Sequence, residues 1–265
     1  MTQKMRIGII GFGAMAQSLV QQLSKRDAIH IADCLIRSTS TRPVPGGIVR
    51  HDDISGLIAA APDLVVECAG HRSVADHVPR LLRAGIDVTI VSIGALADAA
   101  IREELQRAAE EGGARLVAVA GAIGGLDALR AAALAGLDAV TYTGRKPPGA
   151  WTGTPAEEVV ALDTLREPAT FYEGSAAEAA RDYPKNANVT AAVALAGIGF
   201  DRTRVRLIAD PTTRTNSHQL EVQGAFGRFA ITIENNPLPE NPKTSWLAAL
   251  SVAEAVIRRA GKLEL

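Results

Sequence analysis

The chain has 265 residues, 47% of them hydrophobic and 22% charged, with a formal net charge of -1. That length holds one large core or two modest ones, and that balance offers no basic field to attract nucleic acid or anionic lipid. No stretch reaches the roughly 18 apolar residues of a membrane span, no export signal precedes the first glycine motif, and Cys34 and Cys68 read as buried thiols of a reducing, cytoplasmic compartment.

The first half alternates apolar runs with helical patterns. The run "MRIGIIGFG" predicts a strand, followed by the helix "AMAQSLVQQLSKR" and the strand "IHIADCLI". Next come "DLVVECAG", the helix "SVADHVPRLLRAG", "DVTIVSIGA", the helix "DAAIREELQRAAEEGG" and "ARLVAVAG". Continuous Val and Ile runs separated by amphipathic helices predict parallel strands with crossover helices on both faces, an α/β, doubly wound Rossmann sheet. Ser73 and Asp98 stand where N-caps are wanted, Gly85 and Gly112 where C-caps are wanted.

Gly11, Gly13 and Ala16 have the G-x-G-x-x-G/A spacing at a strand-to-helix junction. The first glycine permits the tight turn, the second lets a pyrophosphate approach the backbone, and the helix N-terminus offers free N–H groups. Small residues also occur at such junctions merely for packing, but the context on both sides favours a dinucleotide. In such sheets the ligand lies outside the carboxyl ends of the strands. Those ends supply Ala14, Met15, Ala69, Ser92 and Ala122, with His71 beside them. The acid that usually binds the ribose 2′-OH is missing, since the second strand ends in Ile36-Arg37-Ser38. Arg37 would tolerate a 2′-phosphate, which leaves NAD, NADP or both open; otherwise it stacks on the adenine or faces solvent.

The second half changes character. "VTYTGR", "ATFYEG", "RVRLIAD", "SHQLEVQG" and "RFAITIE" are short alternating strands, the last two joined by the hairpin "GAFGR". Thr154 to Glu157 and Ser175 to Glu178 have the spacing of capping boxes. These elements predict an α+β domain on a mostly antiparallel sheet. The helix "SWLAALSVAEAVIRRA" follows the Pro- and Asn-rich connection "NNPLPENPK" and is assigned to the first domain. The expected division is therefore residues 1–123 with 241–265 for the dinucleotide, and 124–240 for substrate and dimerisation.

One interior position in the second sheet is unusual. Period two along "SHQLEV" puts His218 on the face of Leu220 and Val222. An isolated histidine there is usually a hydrogen-bonded core residue, and the alternative is a proton-transfer group. No residue cluster has metal-ligand spacing, so no metal is expected, and no nucleophile-elbow motif is present.

The stretches "GIIGFGAMA", "SIGALAD", "AGAIGGLDAL", "EGSAAEAARDYPKNANVTAA", "RVRLIAD", "GAFGRFAI" and "ENPKTSWLAALS" together resemble the L-aspartate dehydrogenase family over nearly the whole chain. The resemblance implies NAD(P)-dependent oxidation of L-aspartate to iminoaspartate, hydrolysed to oxaloacetate and ammonia, in a homodimer that can feed NAD biosynthesis. It makes His218 the catalytic residue and puts Ala122 and Asn188 against the nicotinamide. Ile36 stands where the family often has an acid, which puts strict NAD preference in doubt. A dicarboxylate also needs cations and donors: Lys185, Lys243, Thr244 and Ser245 are candidates, Arg145 and Lys146 weaker ones, and the two hydroxyls could instead cap the last helix. Competing readings are a homoserine or sugar dehydrogenase-like enzyme and a non-catalytic dinucleotide-binding protein.

Overall fold

The computed structural model describes residues 4–239 and 241–262, the side chains of residues 185, 242 and 243 excepted. Contacts divide the chain into two compact units, Met1–Val119 with Ala249–Leu265, and Ala120–Ala248.

In the first unit the chain runs β1 (Met5–Ile10), α1 (Ala14–Leu23), β2 (Ile29–Leu35), β3 (Val49–His51) and α2 (Ile54–Ala59). It continues through β4 (Leu64–Glu67), α3 (His71–Arg83), β5 (Asp87–Ile90), α4 (Ala99–Gly112) and β6 (Leu116–Ala118). All strands are parallel, in the order β3-β2-β1-β4-β5-β6. The order reverses beside β1, the place where a doubly wound sheet opens a crevice for a ligand. Residues such as Ile7, Ile9, Val65, Val66, Val88 and Ile90 are fully buried, as continuous apolar strands between two helical layers must be.

Helix ends in this unit fall slightly away from the expected residues. Asp98 caps α4 as expected, its carboxylate accepting from the backbone of Ala100 and Ile101. Ser73 is not an N-cap: α3 begins two residues earlier, behind Gly70, and Ser73 lies inside its first turn. Gly85 follows the end of α3 with φ +77°, but α4 includes Gly112 and ends on Gly113, the residue that adopts the left-handed conformation.

The second unit contains α5 (Leu126–Ala133), β7 (Leu137–Lys146), α6 (Ala156–Val159), β8 (Ala169–Ser175), α7 (Ala176–Asp182) and α8 (Ala187–Ala196). After these come β9 (Arg204–Ala209), β10 (Asn216–Gly224), β11 (Gly227–Asn235), β12 (Pro237–Leu238) and β13 (Asn241–Ser245). The main sheet has the order β11-β10-β7-β9-β8, and only β7 and β9 pair in parallel. The sheet is thus mixed but mostly antiparallel. Helix α8 is apolar on all sides and almost wholly buried, whereas the outward strand positions Glu221 and Gln223 are exposed.

Ser175 and Glu178 form the expected capping box of α7. Pro155, not Thr154, takes the N-cap place of α6; the Thr154 hydroxyl accepts from Ala156 N at 3.3 Å and donates to the Trp151 carbonyl at 2.6 Å, so the expected box with Glu157 does not form. The segment expected as a plain connection holds the small antiparallel pair β12–β13. The final helix, α9 (Trp246–Ala260), brings Arg259 to Asp87 at 3.0 Å, tying its last turn to the start of β5. Among the described residues no helix is long and apolar enough to cross a membrane.

Candidate functional site

The first unit carries a cleft of about 640 Å³ at the carboxyl ends of β1, β2 and β4. Gly11, Gly13, Arg37, Arg42 and Ala69 are among its lining residues. Gly11 holds φ +82°, and a Cβ there would lie 2.8 Å from that of Ala69, so the β1 turn and the loop after β4 meet only because position 11 is bare. Beside Gly13 the nearest group is the Arg42 guanidinium, which donates to the Phe12 carbonyl at 3.3 Å. The loop is open toward the first-turn N–H groups of α1, for which Gly13 takes the N-cap place. Arg37, Arg42 and Arg72 face one aspartate, Asp76, which pairs with Arg72 at 3.2 Å. Narrow glycine walls, a helix start with no side-chain cap and an excess of guanidinium groups fit a pyrophosphate-bearing dinucleotide.

Sequence reasoning missed the residue that shapes the cleft's far wall. Glu67 ends β4 fully buried. Its Oε1 accepts from Ala69 N at 2.6 Å, Gly70 N at 2.8 Å and Ser92 Oγ at 3.1 Å, and its Oε2 accepts from Ser92 N at 3.1 Å. One carboxylate thereby ties the loop after β4 to the loop after β5. The only warning in the sequence is a charge closing a fully apolar run. Ser92, expected at the cofactor, is buried and turned onto this carboxylate. Ala14 and Met15 form the first residues of α1. Cys34 is buried as expected, and burial pushes its thiol up to about 11; Cys68 is only partly buried, because it lines the cleft.

In the second unit, β10 alternates as its sequence requires, with Asn216, His218, Leu220 and Val222 buried. His218 is 3% exposed and sits opposite Gly144 of β7. The neighbouring inward residue of β7, Tyr142, extends past that glycine to place its hydroxyl 2.8 Å from His218 Nδ1. A Cβ on Gly144 would lie 2.8 Å from the same hydroxyl, so the bare position makes the contact possible. Nε2, the other ring nitrogen, is buried and has no hydrogen-bond partner among the described residues. Burial, with a further contribution from the charge of Lys146, pulls His218 down to about 3. The imidazole is therefore neutral at physiological pH.

Lys146 ends β7 on the same face as Tyr142 and Gly144, because the strand runs one residue further than its sequence suggests. Its Nζ donates to Asn186 Oδ1 at 2.7 Å and lies 5.0 Å from the Trp151 ring centroid. The side chain as a whole keeps some exposure, yet desolvation of the ammonium brings it down to about 8. Arg145, its neighbour, points to the opposite face and pairs with buried Asp210 at 2.8 Å. Tyr142 went unnamed in the sequence and Lys146 was only a weaker candidate: period two along "VTYTGRK" gives them one face, but only the register of β7 against β10 brings that face to His218.

Ala122 is buried, its carbonyl accepting from Asn235 Nδ2 at 3.0 Å, and Asn188 opens α8 half-buried. Thr244 and Ser245 belong to β13, their hydroxyls accepting from Asn241 Nδ2 at 2.9 Å and Asn216 Nδ2 at 3.2 Å. The side chains of Lys185 and Lys243 lie outside the described residues. Among the described residues no group of three or more His, Cys, Asp or Glu could hold a metal ion.

The model of the aspartate dehydrogenase C-terminal family matches residues 127–259, and that of the homoserine dehydrogenase NAD-binding domain matches residues 11–118. The L-aspartate dehydrogenase of Cupriavidus necator is 44% identical over 265 residues, covering 97% of this chain and 98% of the relative. That of Pseudomonas aeruginosa is 44% identical over 257 residues, covering 95% and 96%. The crystal structure of aspartate dehydrogenase from Thermotoga maritima matches with a TM-score of 0.81 at 27% identity, over 99% of this chain and 100% of the other.

Proposed function

The chain belongs to the L-aspartate dehydrogenase family, and from that premise we propose that it oxidises L-aspartate to iminoaspartate with NAD or NADP, His218 handling the proton. Water then converts the imine to oxaloacetate and ammonia, and the reverse sequence is reductive amination. The observation that carries the assignment of His218 is a buried imidazole whose Nε2 has no partner. A sealed histidine serving only the core has both nitrogens bonded, because an orphaned buried polar atom costs about 1–3 kcal/mol.

When bound, the dinucleotide accepts the Cα hydride, and the glycine loop, Arg37 and the first turn of α1 would hold its adenosine and phosphates. The chain's own groups handle orientation and protons. For Nε2 to accept a proton, Nδ1 must carry the ring hydrogen, and the Tyr142 hydroxyl then accepts from Nδ1 in both protonation states of the ring. Nε2 is the atom left to take a proton from the substrate ammonium, or later from the water that adds to the imine. The two carboxylates of the substrate raise the basicity of this imidazole, opposing the burial and the Lys146 charge that depress it.

The reading extends to a cytoplasmic homodimer whose product feeds pyridine-nucleotide biosynthesis; two free cysteines accord with a reducing compartment. The test follows reduced-nicotinamide absorbance with aspartate and each cofactor in turn. His218→Ala should lower turnover roughly 100-fold or more, with an unchanged circular dichroism spectrum. Turnover near that of the unaltered chain would remove His218 from the mechanism.

A further inference from the structure

Two adjacent cations on β7 meet different fates. Arg145 is neutralised by Asp210 at 2.8 Å on one face of the sheet. Lys146, on the other, has Asn186 Oδ1 at 2.7 Å and the Trp151 ring, and no Asp or Glu pairs with it among the described residues. An ammonium has three donors, and a neutral amide oxygen satisfies one of them without offsetting the charge. Withdrawing a cation from water without a counter-ion is unfavourable enough that such groups are normally paired. Lys146 also shares its strand face with the bare position opposite His218, whose Nε2 is buried and unpartnered. A missing negative charge and a missing hydrogen-bond partner thus occur on one surface of the second unit. A single small anion with a second polar group supplies both.

We propose that Lys146 receives a carboxylate of the substrate, with Asn186 holding the ammonium in place. This rests on the reading of the chain as an aspartate dehydrogenase and deepens it by naming the cation. Asn186 fixes one N–H direction and leaves two for a carboxylate. Trp151, fully buried and pinned by its bond to the Ile208 carbonyl at 3.2 Å, closes the space behind the ammonium. Arriving carboxylate charge also relieves the conflict between Lys146 and His218, since the negative group favours the protonated form of each.

The test uses succinate, a dicarboxylate with no group to oxidise, and the full chain in a Trp246→Phe background. Trp151 is then the only tryptophan, because the chain has two, and its emission reports on the ammonium beside it. Succinate should bind saturably, and Lys146→Met should weaken that binding at least about 30-fold, the scale for losing one partner of a buried charge pair. Lys146→Gln serves if the methionine variant does not fold, and Lys146→Arg should recover part of the affinity. In the aspartate assay the same variants should raise KM by a similar factor and lower kcat by much less.

Succinate affinity and KM within threefold of the unaltered chain would overturn the proposal. So would a collapse of kcat at constant KM, which would make Lys146 a proton-transfer group rather than a carboxylate receptor. An unaltered chain that binds succinate through Lys146 but does not oxidise aspartate would refute the dehydrogenase reading and leave this site standing. Aspartate oxidation with normal KM in the variants would refute this site alone.

Discussion

Lys146→Met replaces an ammonium by a side chain of similar length and volume, so the slot beside Trp151 stays filled. Folding lowers the Lys146 pKa from 10.5 to about 8, chiefly by desolvation. At about 1.4 kcal/mol per pH unit, that drop means the charged lysine destabilises the fold by about 3 kcal/mol, trimmed to about 2 by the residual exposure of the side chain. Losing the bond to Asn186 offsets roughly 1 kcal/mol. The variant should therefore be about 1–2 kcal/mol more stable at pH 7. Between pH 8 and 10 the folded chain has released the lysine proton while the unfolded chain still holds it. The unfolded state then binds more protons, so this group's contribution to stability climbs with pH and the variant's advantage disappears by about pH 10. Cys34 and Tyr142, both pushed up by burial, work in the other direction at high pH. They are common to both proteins and cancel in the difference. Urea unfolding of both chains at pH 7, 8, 9 and 10 gives that difference directly. A variant less stable at pH 7, or a difference flat from pH 7 to 10, would show that the ammonium is not held uncompensated.

Gly144→Ala adds a carbon 2.8 Å from the Tyr142 hydroxyl and 3.3 Å from Leu207 Cδ2. It should cost about 1–3 kcal/mol by overpacking and lower kcat more than it raises KM for aspartate, as steady-state kinetics would register. Glu67→Gln replaces a carboxylate that accepts four hydrogen bonds with an amide bearing one acceptor oxygen. The loops after β4 and β5 should loosen, and reduced-dinucleotide affinity measured by fluorescence should fall roughly 10-fold; unchanged affinity would detach Glu67 from the cleft.

The first unit was readable because its strands are buried on both faces, so unbroken runs such as "DLVVE" admit few other assignments. His218 was readable for the opposite reason: one covered face imposes a strict period of two on β10. Tyr142 and Lys146 were harder, since their nearness to His218 depends on cross-strand register, which no local pattern encodes. Lys146, a weaker carboxylate-binding candidate in the sequence, lies just past the expected strand and joins the face of Tyr142 because β7 runs one residue longer. Helix limits slipped by three residues at Ser73 and by one at Gly112 because several neighbouring residues can satisfy an end. Strand β3 escaped notice: three residues, two of them polar, carry no recognisable alternation.

The hairpin joining β10 to β11 has only Ala225 and Phe226 between its paired glycines, Gly224 and Gly227. So short a loop has no slack, and any added or lost residue between it and the imidazole must be absorbed by the ladder itself. A single-residue indel would exchange His218 for Ser217 or Gln219 at the sheet's interior and abolish the chemistry while leaving every side chain type in the strand unaltered. Lineages of this fold should accordingly tolerate swaps of residue identity along β10 far better than any change in its count.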